Sequence, residues 1–240
     1  MDYYVIANRT VGMELNCPRL LESAEKYRTG KLSNVDIMLT DYEAAAYRNH
    51  QLVPTVSMGA WTEILSSDDF YEQLLNFNGS FLHSSAIVVN GWAYLISAGS
   101  QVGKSTHTKL WQEYLGEENT IILNDDKPAV MRDATGRWFA FGTPWSGASD
   151  SNVNMCAPIG GICFMERSDV NWIQPEKGPK ILDDLLAQTL KPRDDYKRYT
   201  LINLFSNMVT TVNTYRMGVN MSMEAAKMAY EFMTGQINMT

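Results

Sequence analysis

Between Trp92 and Tyr114 the sequence changes character twice, and that succession limits the fold more than any other stretch. Trp92-Ala-Tyr-Leu-Ile-Ser97 is an apolar run that reads as a buried strand, and Thr106 to Tyr114 carries a helical pattern. Between them lies Ala98-Gly99-Ser100-Gln101-Val102-Gly103-Lys104-Ser105-Thr106: a small residue, four spacers, then Gly-Lys-Ser. A strand that delivers a glycine-containing loop to a helix N-terminus is the context a phosphate loop requires. The free N–H groups of the first helical turn then face an anion. Lys104 would reach the terminal phosphates of a nucleotide as a point charge, and Ser105 would offer a hydroxyl to Mg²⁺. Ala98 stands where glycine is more usual. A plain Gly/Ser turn at a helix start is the alternative, and the flanking strand and helix weigh against it.

The flanks continue the pattern. Ala86 to Val89, Asn90-Gly91 and Trp92 to Ile96 predict a β-hairpin, because both central positions of such a turn need positive φ. Thr120 to Leu123 reads as a further buried strand, ending in Asn124-Asp125-Asp126. A second hairpin is expected over Ala129–Arg132 and Arg137–Phe141, then a polar loop from Gly142 to about Met155 and a strand over Ile159–Met165. Helices are expected over Pro179–Leu190, Tyr196–Val212 and Ser222 to about Thr234, with a strand at Thr214–Met217. Upstream the pattern is weaker. Tyr3–Ala7 and Thr10–Leu15 suggest strands around Asn8-Arg9, Asp36–Leu39 another, and Ser67-Asp68-Asp69 a cap for a short helix at Phe70–Leu75. The economical organisation is one domain over 1–240, with a β-rich segment at 1–78 and a nucleotide-binding core at 79–240.

Composition restricts the partners. The 240 residues are 45% hydrophobic, enough for a substantial core. A net charge of −7 without a basic run argues against a nucleic-acid binder. No apolar run approaches the ~20 residues of a spanning helix, so no membrane partner is expected. The three cysteines, Cys17, Cys156 and Cys163, are scattered and lack metal spacing, which suits reduced thiols of a cytoplasmic protein.

Several residues could carry chemistry. Ligands of open α/β sheets bind beyond the carboxyl ends of the strands, so the loop and the Asp125-Asp126 pair should emerge at one edge. One aspartate can hold Mg²⁺ while the other accepts the proton of an attacking hydroxyl. We assign Asp126 to the metal with Ser105, and Asp125 to the proton, although the argument allows the reverse. Hairpin geometry puts His83 beside Ala98–Ser100, where it could orient the transferring group. His107, in the first turn of the loop helix, is expected at the surface or behind the site. Trp145-Ser146-Gly147 with Asn152 and Asn154 form a candidate lid, and Arg167 is a candidate phosphate clamp or surface ion-pair partner.

Leu82-His83-Ser84-Ser85-Ala86, the Asn90-Gly91 hairpin, Val102-Gly103-Lys104-Ser105 and Leu123-Asn124-Asp125-Asp126 occur in that order. Together they resemble the core of the bacterial HPr kinase/phosphorylase family, related in fold to phosphoenolpyruvate carboxykinase. Gly142–Gly147, Asn154, Pro158, Glu166-Arg167, Tyr215-Arg216-Met217 and Glu224-Ala225-Ala226 resemble a shorter branch, some members of which phosphorylate peptide serines. The resemblance spans roughly Phe81 to Met233. It implies a P-loop-containing α/β core with a mixed sheet and flanking helices, ATP and Mg²⁺ as cofactors, and Lys104, His83 and an aspartate as the catalytic set. It also implies a homo-oligomer, since HPr kinases assemble into hexamers. The acceptor would be a serine hydroxyl of a peptide, protein or small molecule. HPr itself is not favoured, because the family's carboxyl-terminal signature is not found here. Gln101 stands where the family usually has glycine. The alternatives are a nucleotide-binding regulatory module without turnover and a carboxykinase-like phosphotransferase.

Overall fold

The computed structural model describes residues 1–235, beginning with a hairpin of β1 (Asp2–Ile6) and β2 (Arg9–Glu14). Its turn is Ala7-Asn8, both at positive φ (51° and 57°), one residue earlier than the sequence suggested. Next come α1 (Pro18–Ala24), β3 (Arg28–Thr29), β4 (Ile37–Thr40), α2 (Glu43–Leu52) and α3 (Met58–Leu74). The four strands form a sheet in the order β3-β1-β2-β4. The segment 1–78 therefore holds three helices as well as a small sheet, more helix than its pattern suggested.

Ser67-Asp68-Asp69 does not cap a helix at Phe70 but lies inside α3, whose cap is Ser57, its Oγ accepting from Ala60 N at 3.2 Å. The polar side chains are used in tertiary contacts instead. Ser67 Oγ accepts from Lys127 Nζ at 2.9 Å, and Asp69 accepts from the Tyr42 hydroxyl. The expected break does occur, with Asn78 in the left-handed region at φ 57°.

The rest of the chain builds a larger sheet. It supplies β5 (Gly79–Phe81), β6 (Ser84–Val89), β7 (Trp92–Ser97), α4 (Lys104–Leu115), β8 (Thr120–Asn124), β9 (Ala129–Arg132) and β10 (Trp138–Phe141). After these follow β11 (Cys156–Arg167), β12 (Trp172–Pro175), α5 (Pro179–Ala187), α6 (Asp195–Thr211), β13 (Thr214–Val219) and α7 (Met223–Met233). The order is β5-β9-β10-β11-β7-β6-β8, with β13 beside β11 and β12 beside β13. The twelve-residue β11 makes this possible: Cys156–Pro158 pairs with β10, and the remainder pairs with β7 and β13.

Direction matters more than order. β7 and β13 run parallel to β11, and β6 is antiparallel to both β7 and β8. So β7, β8, β11 and β13 all point one way, and Ser97, Asn124, Arg167 and Val219 end on one edge. His83 precedes β6 at that same edge, since Ser84 pairs with Ser97.

Both faces of the central strands are covered, which is why they read as apolar runs rather than as alternation. Ile87, Val89, Ile96 and Met165 pack against Trp111 of α4 and Ala225, Ala226 and Ala229 of α7. Ala86, Val88, Leu95 and Phe164 belong to the other core, with Ile181 and Leu185 of α5 and Phe205 and Met208 of α6. That second core runs on without a break into Phe70 and Leu74 of α3 and Tyr4 and Ile6 of the small sheet. The architecture is mixed α/β. Among the described residues, no helix is long and apolar enough to cross a membrane.

His107 is fully buried in α4, not at the surface. Trp111 Nε1 donates to its Nε2 at 3.3 Å, and burial pushes its pKa down to about 4 from 6.5. The imidazole thus folds in neutral, while the unfolded chain takes up a proton below pH 6.5. This contribution is complete above that pH and is lost as pH falls towards 4, on the order of 3 kcal/mol in all. Denaturant unfolding at pH 7 and pH 4.5 should show stability falling on acidification, and His107→Gln should fall less. Equal pH dependence in both proteins would clear His107 of the effect.

Candidate active site

The loop between β7 and α4 leaves the sheet edge through two left-handed residues, Gln101 (φ 63°) and Gly103 (φ 118°). A side chain in that region costs about 1 kcal/mol, so Gln101 is held there against its preference. The first helical hydrogen bond runs from His107 N to Gly103 O at 2.9 Å. The N–H groups of Lys104, Ser105 and Thr106 therefore have no intrahelical acceptor and project from the helix start. Lys104 is only 8% exposed, and its Nζ donates to Ala98 O at 3.3 Å. Burial lowers its pKa, and the nearby Asp126 and Asp125 oppose that shift. Arg167, at the end of β11, donates from Nε to Val102 O at 2.7 Å and so braces the loop from behind.

The acidic pair is aimed by Asn124, the last residue of β8. Its Oδ1 accepts from the backbone N–H groups of Asp126 (2.9 Å) and Lys127 (2.8 Å), which turns the chain sharply after the strand. Asp126 Oδ1 lies 3.2 Å from His83 Nε2. The other ring nitrogen, Nδ1, is 2.9 Å from Gln188 Oε1, and His83 N donates to Gln188 O at 2.7 Å. His83 is thus held at the ring and the backbone by the residue that follows α5. Asp125 is different. Its N–H bonds Ser151 O at 3.1 Å, while its Oδ1 is buried with no hydrogen-bond partner.

Lys104, Ser105, Lys109, Asp125 and Asp126 open into one cavity of about 330 Å³, closed on the far side by Ser146–Ser149. The Gly142–Met155 loop is anchored over most of its length. Trp145 is buried against Phe70, ring centroids 4.7 Å apart, and Nδ2 of the buried Asn152 donates to Ser146 Oγ at 2.8 Å. Tyr27 OH donates to Asn152 Oδ1 at 2.8 Å, Asn154 Nδ2 to Lys26 O at 3.0 Å, and Arg19 to Gly147 O. Only Ala148–Asp150 is exposed without a break, so the candidate lid shrinks to the tip of the loop.

The structure therefore brings together the loop Ala98–Thr106, His83, Asp125 and Asp126 on one edge. It sets Arg167 on the loop backbone and His107 inside the core. Sequence reasoning missed Gln188, Lys109, Asn124 and Arg19. Asn124 had a local signal, as an Asx residue at a strand end before a turn, and Lys109 stands one turn of α4 beyond Ser105; Gln188 and Arg19 are recognised only through contacts far along the chain.

The donor set can be tested against the cofactors expected. Among the described residues, no three His, Cys, Asp or Glu gather as a metal cage. Two carboxylates, one with an uncommitted buried oxygen, and the Ser105 hydroxyl fit Mg²⁺, which usually takes one or two carboxylates and completes its shell with phosphate and water.

No family model matches the chain, and no curated protein matches it. Among solved structures it is similar to the HPr(Ser) kinase/phosphatase from Coxiella burnetii, at 13% identity, over 53% of this chain and 95% of that one. The TM-score is 0.30, so the reading of the site rests on its own geometry.

Gly147 offers a test of how tightly the roof sits. Its φ is 69°, and a Cβ there would stand 2.9 Å from Asp126 Cβ. Gly147→Ala should lose about 1–2 kcal/mol in denaturant unfolding, from left-handed strain alone, and more if Asp126 cannot shift. An unchanged midpoint would mean that the roof repacks freely.

Proposed function

We propose that this chain is a Mg-ATP-dependent phosphotransferase that moves the γ-phosphoryl group to a hydroxyl, with a serine side chain as the acceptor class. The observation that carries the reading is the convergence, in one cavity, of a helix N-terminus bearing Lys104 and a carboxylate whose oxygen lies 3.2 Å from the His83 ring.

The N–H groups of the loop and of Lys104–Thr106 hold the phosphates, and Lys104 and Lys109 supply positive charge from the same helix. Ser105 and Asp125 hold the metal, whose chemistry when bound is to neutralise charge on the phosphate oxygens. Asp126 takes the proton from the acceptor hydroxyl, and His83, fixed by Gln188, keeps that carboxylate oriented. The hydroxyl oxygen forms the new O–P bond, the bond to the bridging oxygen breaks, and ADP leaves. This reverses the roles assigned from sequence, because Asp126 has the histidine while Asp125 has the free oxygen. The low exposure of Lys104 favours phosphate, since a cation already stripped of water gains more from an anion than a solvated one does.

Calorimetry tests the nucleotide half. Lys104→Ala should weaken Mg-ATP binding about ten- to a hundredfold, the loss of a charge-assisted contact of about 1.5–3 kcal/mol. Equal affinity would remove the loop from the site.

Phosphorylation of a serine-peptide library tests the rest. Asp126→Asn and His83→Ala should bind Mg-ATP nearly as the wild type and lose transfer, by about 10²–10⁴-fold for the base. Asp125→Asn should instead raise the Mg²⁺ concentration needed for binding. Tight Mg-ATP binding without transfer or hydrolysis in the wild type would make the chain a nucleotide-sensing module. Full turnover in both aspartate variants at limiting Mg²⁺ would overturn the mechanism.

A further inference from the structure

A second cavity, of about 490 Å³, opens between the β1–β2 turn, the end of the α3 segment at Phe77-Asn78, and the β9–β10 hairpin. Its floor is apolar, formed by Phe77, Met131 and Phe139, and two arginines, Arg9 and Arg132, stand in its wall. The Arg9 guanidinium lies over the Phe77 ring, 4.9 Å from its centroid. Stacking of that kind sets the plane of the fork without consuming its in-plane donors. Neither arginine has an ion-pair partner among the described residues, and the Nε of Arg9 is buried with no hydrogen-bond partner.

The carboxylate in the wall, Asp133, is committed elsewhere. Its Oδ1 accepts from Thr135 N (2.9 Å), Thr135 Oγ1 (2.7 Å) and Arg137 N (2.9 Å), closing the hairpin turn. Arg9 and Arg132 thus line an apolar cavity without an ion-pair partner among the described residues, in a chain of net charge −7. Buried donors without acceptors are costly, and an anion supplies what the protein does not.

We propose that this cavity binds a small organic acid, its carboxylate or phosphate head taken by Arg9 and Arg132 and its aromatic or aliphatic body laid on Met131 and Phe139. The guanidinium fork matches both heads. The volume lies in the range of small-molecule sites, and a floor of this kind gives an inorganic ion little to bind. The inference is independent of the chemistry at the parallel edge, since none of its residues lines that cavity.

Cys156 lines the cavity and is the exposed thiol; Cys17 and Cys163 are buried. Its alkylation by iodoacetamide, a neutral reagent, followed by mass spectrometry, therefore reports occupancy. We expect 3-phenylpropionate or phenyl phosphate to slow the labelling saturably. The neutral 3-phenylpropan-1-ol and inorganic phosphate should not do so at the same concentrations. Arg9→Gln and Arg132→Gln should each weaken the protection about tenfold or more, with unchanged thermal melting. Arg132 is exposed, so its variant keeps the test alive should Arg9→Gln not fold. Equal protection by the alcohol, wild-type affinity in the arginine variants, or no protection by either acid would overturn the proposal.

Discussion

Asn124 is fully buried at the end of β8, and a buried amide must find partners for its donors and its acceptor. It finds them on two different segments. The Nδ2 donates to Thr143 O at 2.9 Å, tying down the loop that roofs the site, and the Oδ1 gathers the N–H groups of Asp126 and Lys127. One side chain thus fixes the direction of the acidic pair and the height of the roof above it. Tyr71 closes the same circuit from α3, since its hydroxyl bonds Lys127 O and meets Thr143 Oγ1 at 3.0 Å. The geometry at Asp125 and Asp126 is thus set by hydrogen bonds within the fold itself.

The site is held at some cost to the fold. Lys104 is a charge taken largely out of water, with a backbone carbonyl at 3.3 Å as its hydrogen-bond acceptor. Gln101 sits in a conformation better suited to glycine, and Asp125 keeps a buried oxygen unpaired. Each feature is destabilising alone, and all three belong to one sheet edge. Buried atoms without partners occur elsewhere too, at Arg9, Trp61, His107 and Asn207; what this edge adds beside one of them is a strained loop residue and a desolvated charge. The strands behind it have no comparable defects. Ser97 Oγ bonds His83 O at 2.9 Å, and Ser85 and Thr108 hydroxyls meet at 2.7 Å, so even the small polar residues beneath the loop are satisfied.

The parts of this arrangement legible in the sequence are those governed by neighbours in the chain. Asn90-Gly91 announces its hairpin because the turn needs two left-handed residues, at φ 50° and 79° here. Once that hairpin is granted, His83 must lie beside Ala98, and two parallel strands bring Asp125 and Asp126 to the same edge. What escaped the sequence is governed by contacts across the chain. Ser67-Asp68-Asp69 looks like a cap until Lys127 and Tyr42 claim its side chains. His107 could sit at the surface or behind the site until the fold buries it beside Trp111, and Gln188 carries no pattern that links it to His83, 105 residues away. That Arg9 and the β9–β10 hairpin line one cavity is equally invisible, because the two lie in separate sheets.

The N-terminal segment is more than a cover for the core. Ser23 Oγ donates to Pro144 O at 3.0 Å and to Asp150 Oδ1 at 2.7 Å, Lys26 Nζ to Asn152 O at 3.0 Å, and Tyr27 OH to Asn152 Oδ1. Arg19 bonds Gly147 O and pairs with Glu63 at 2.8 Å. These contacts come from one short helix and the turn after it, and apart from the Arg19–Glu63 pair, which ties α1 to α3, they fall on the loop that roofs the cavity. The floor, with Lys104 and the aspartates, belongs to the sheet edge and is fixed by β-pairing, with His83 beside Asp126. The polar bonds of Ser23, Lys26 and Tyr27 thus tie the N-terminal segment to the roof, while Leu123 and Asn124 of β8, and Asp125 just after it, bond the same loop at Val153, Thr143 and Ser151. Ser23, Tyr27 and Asn152 are themselves buried, so that anchorage is shielded from water. A change in the shape of the cavity would therefore begin at the exposed run Ala148–Asp150, while the side that bears Lys104 stayed where the strands hold it.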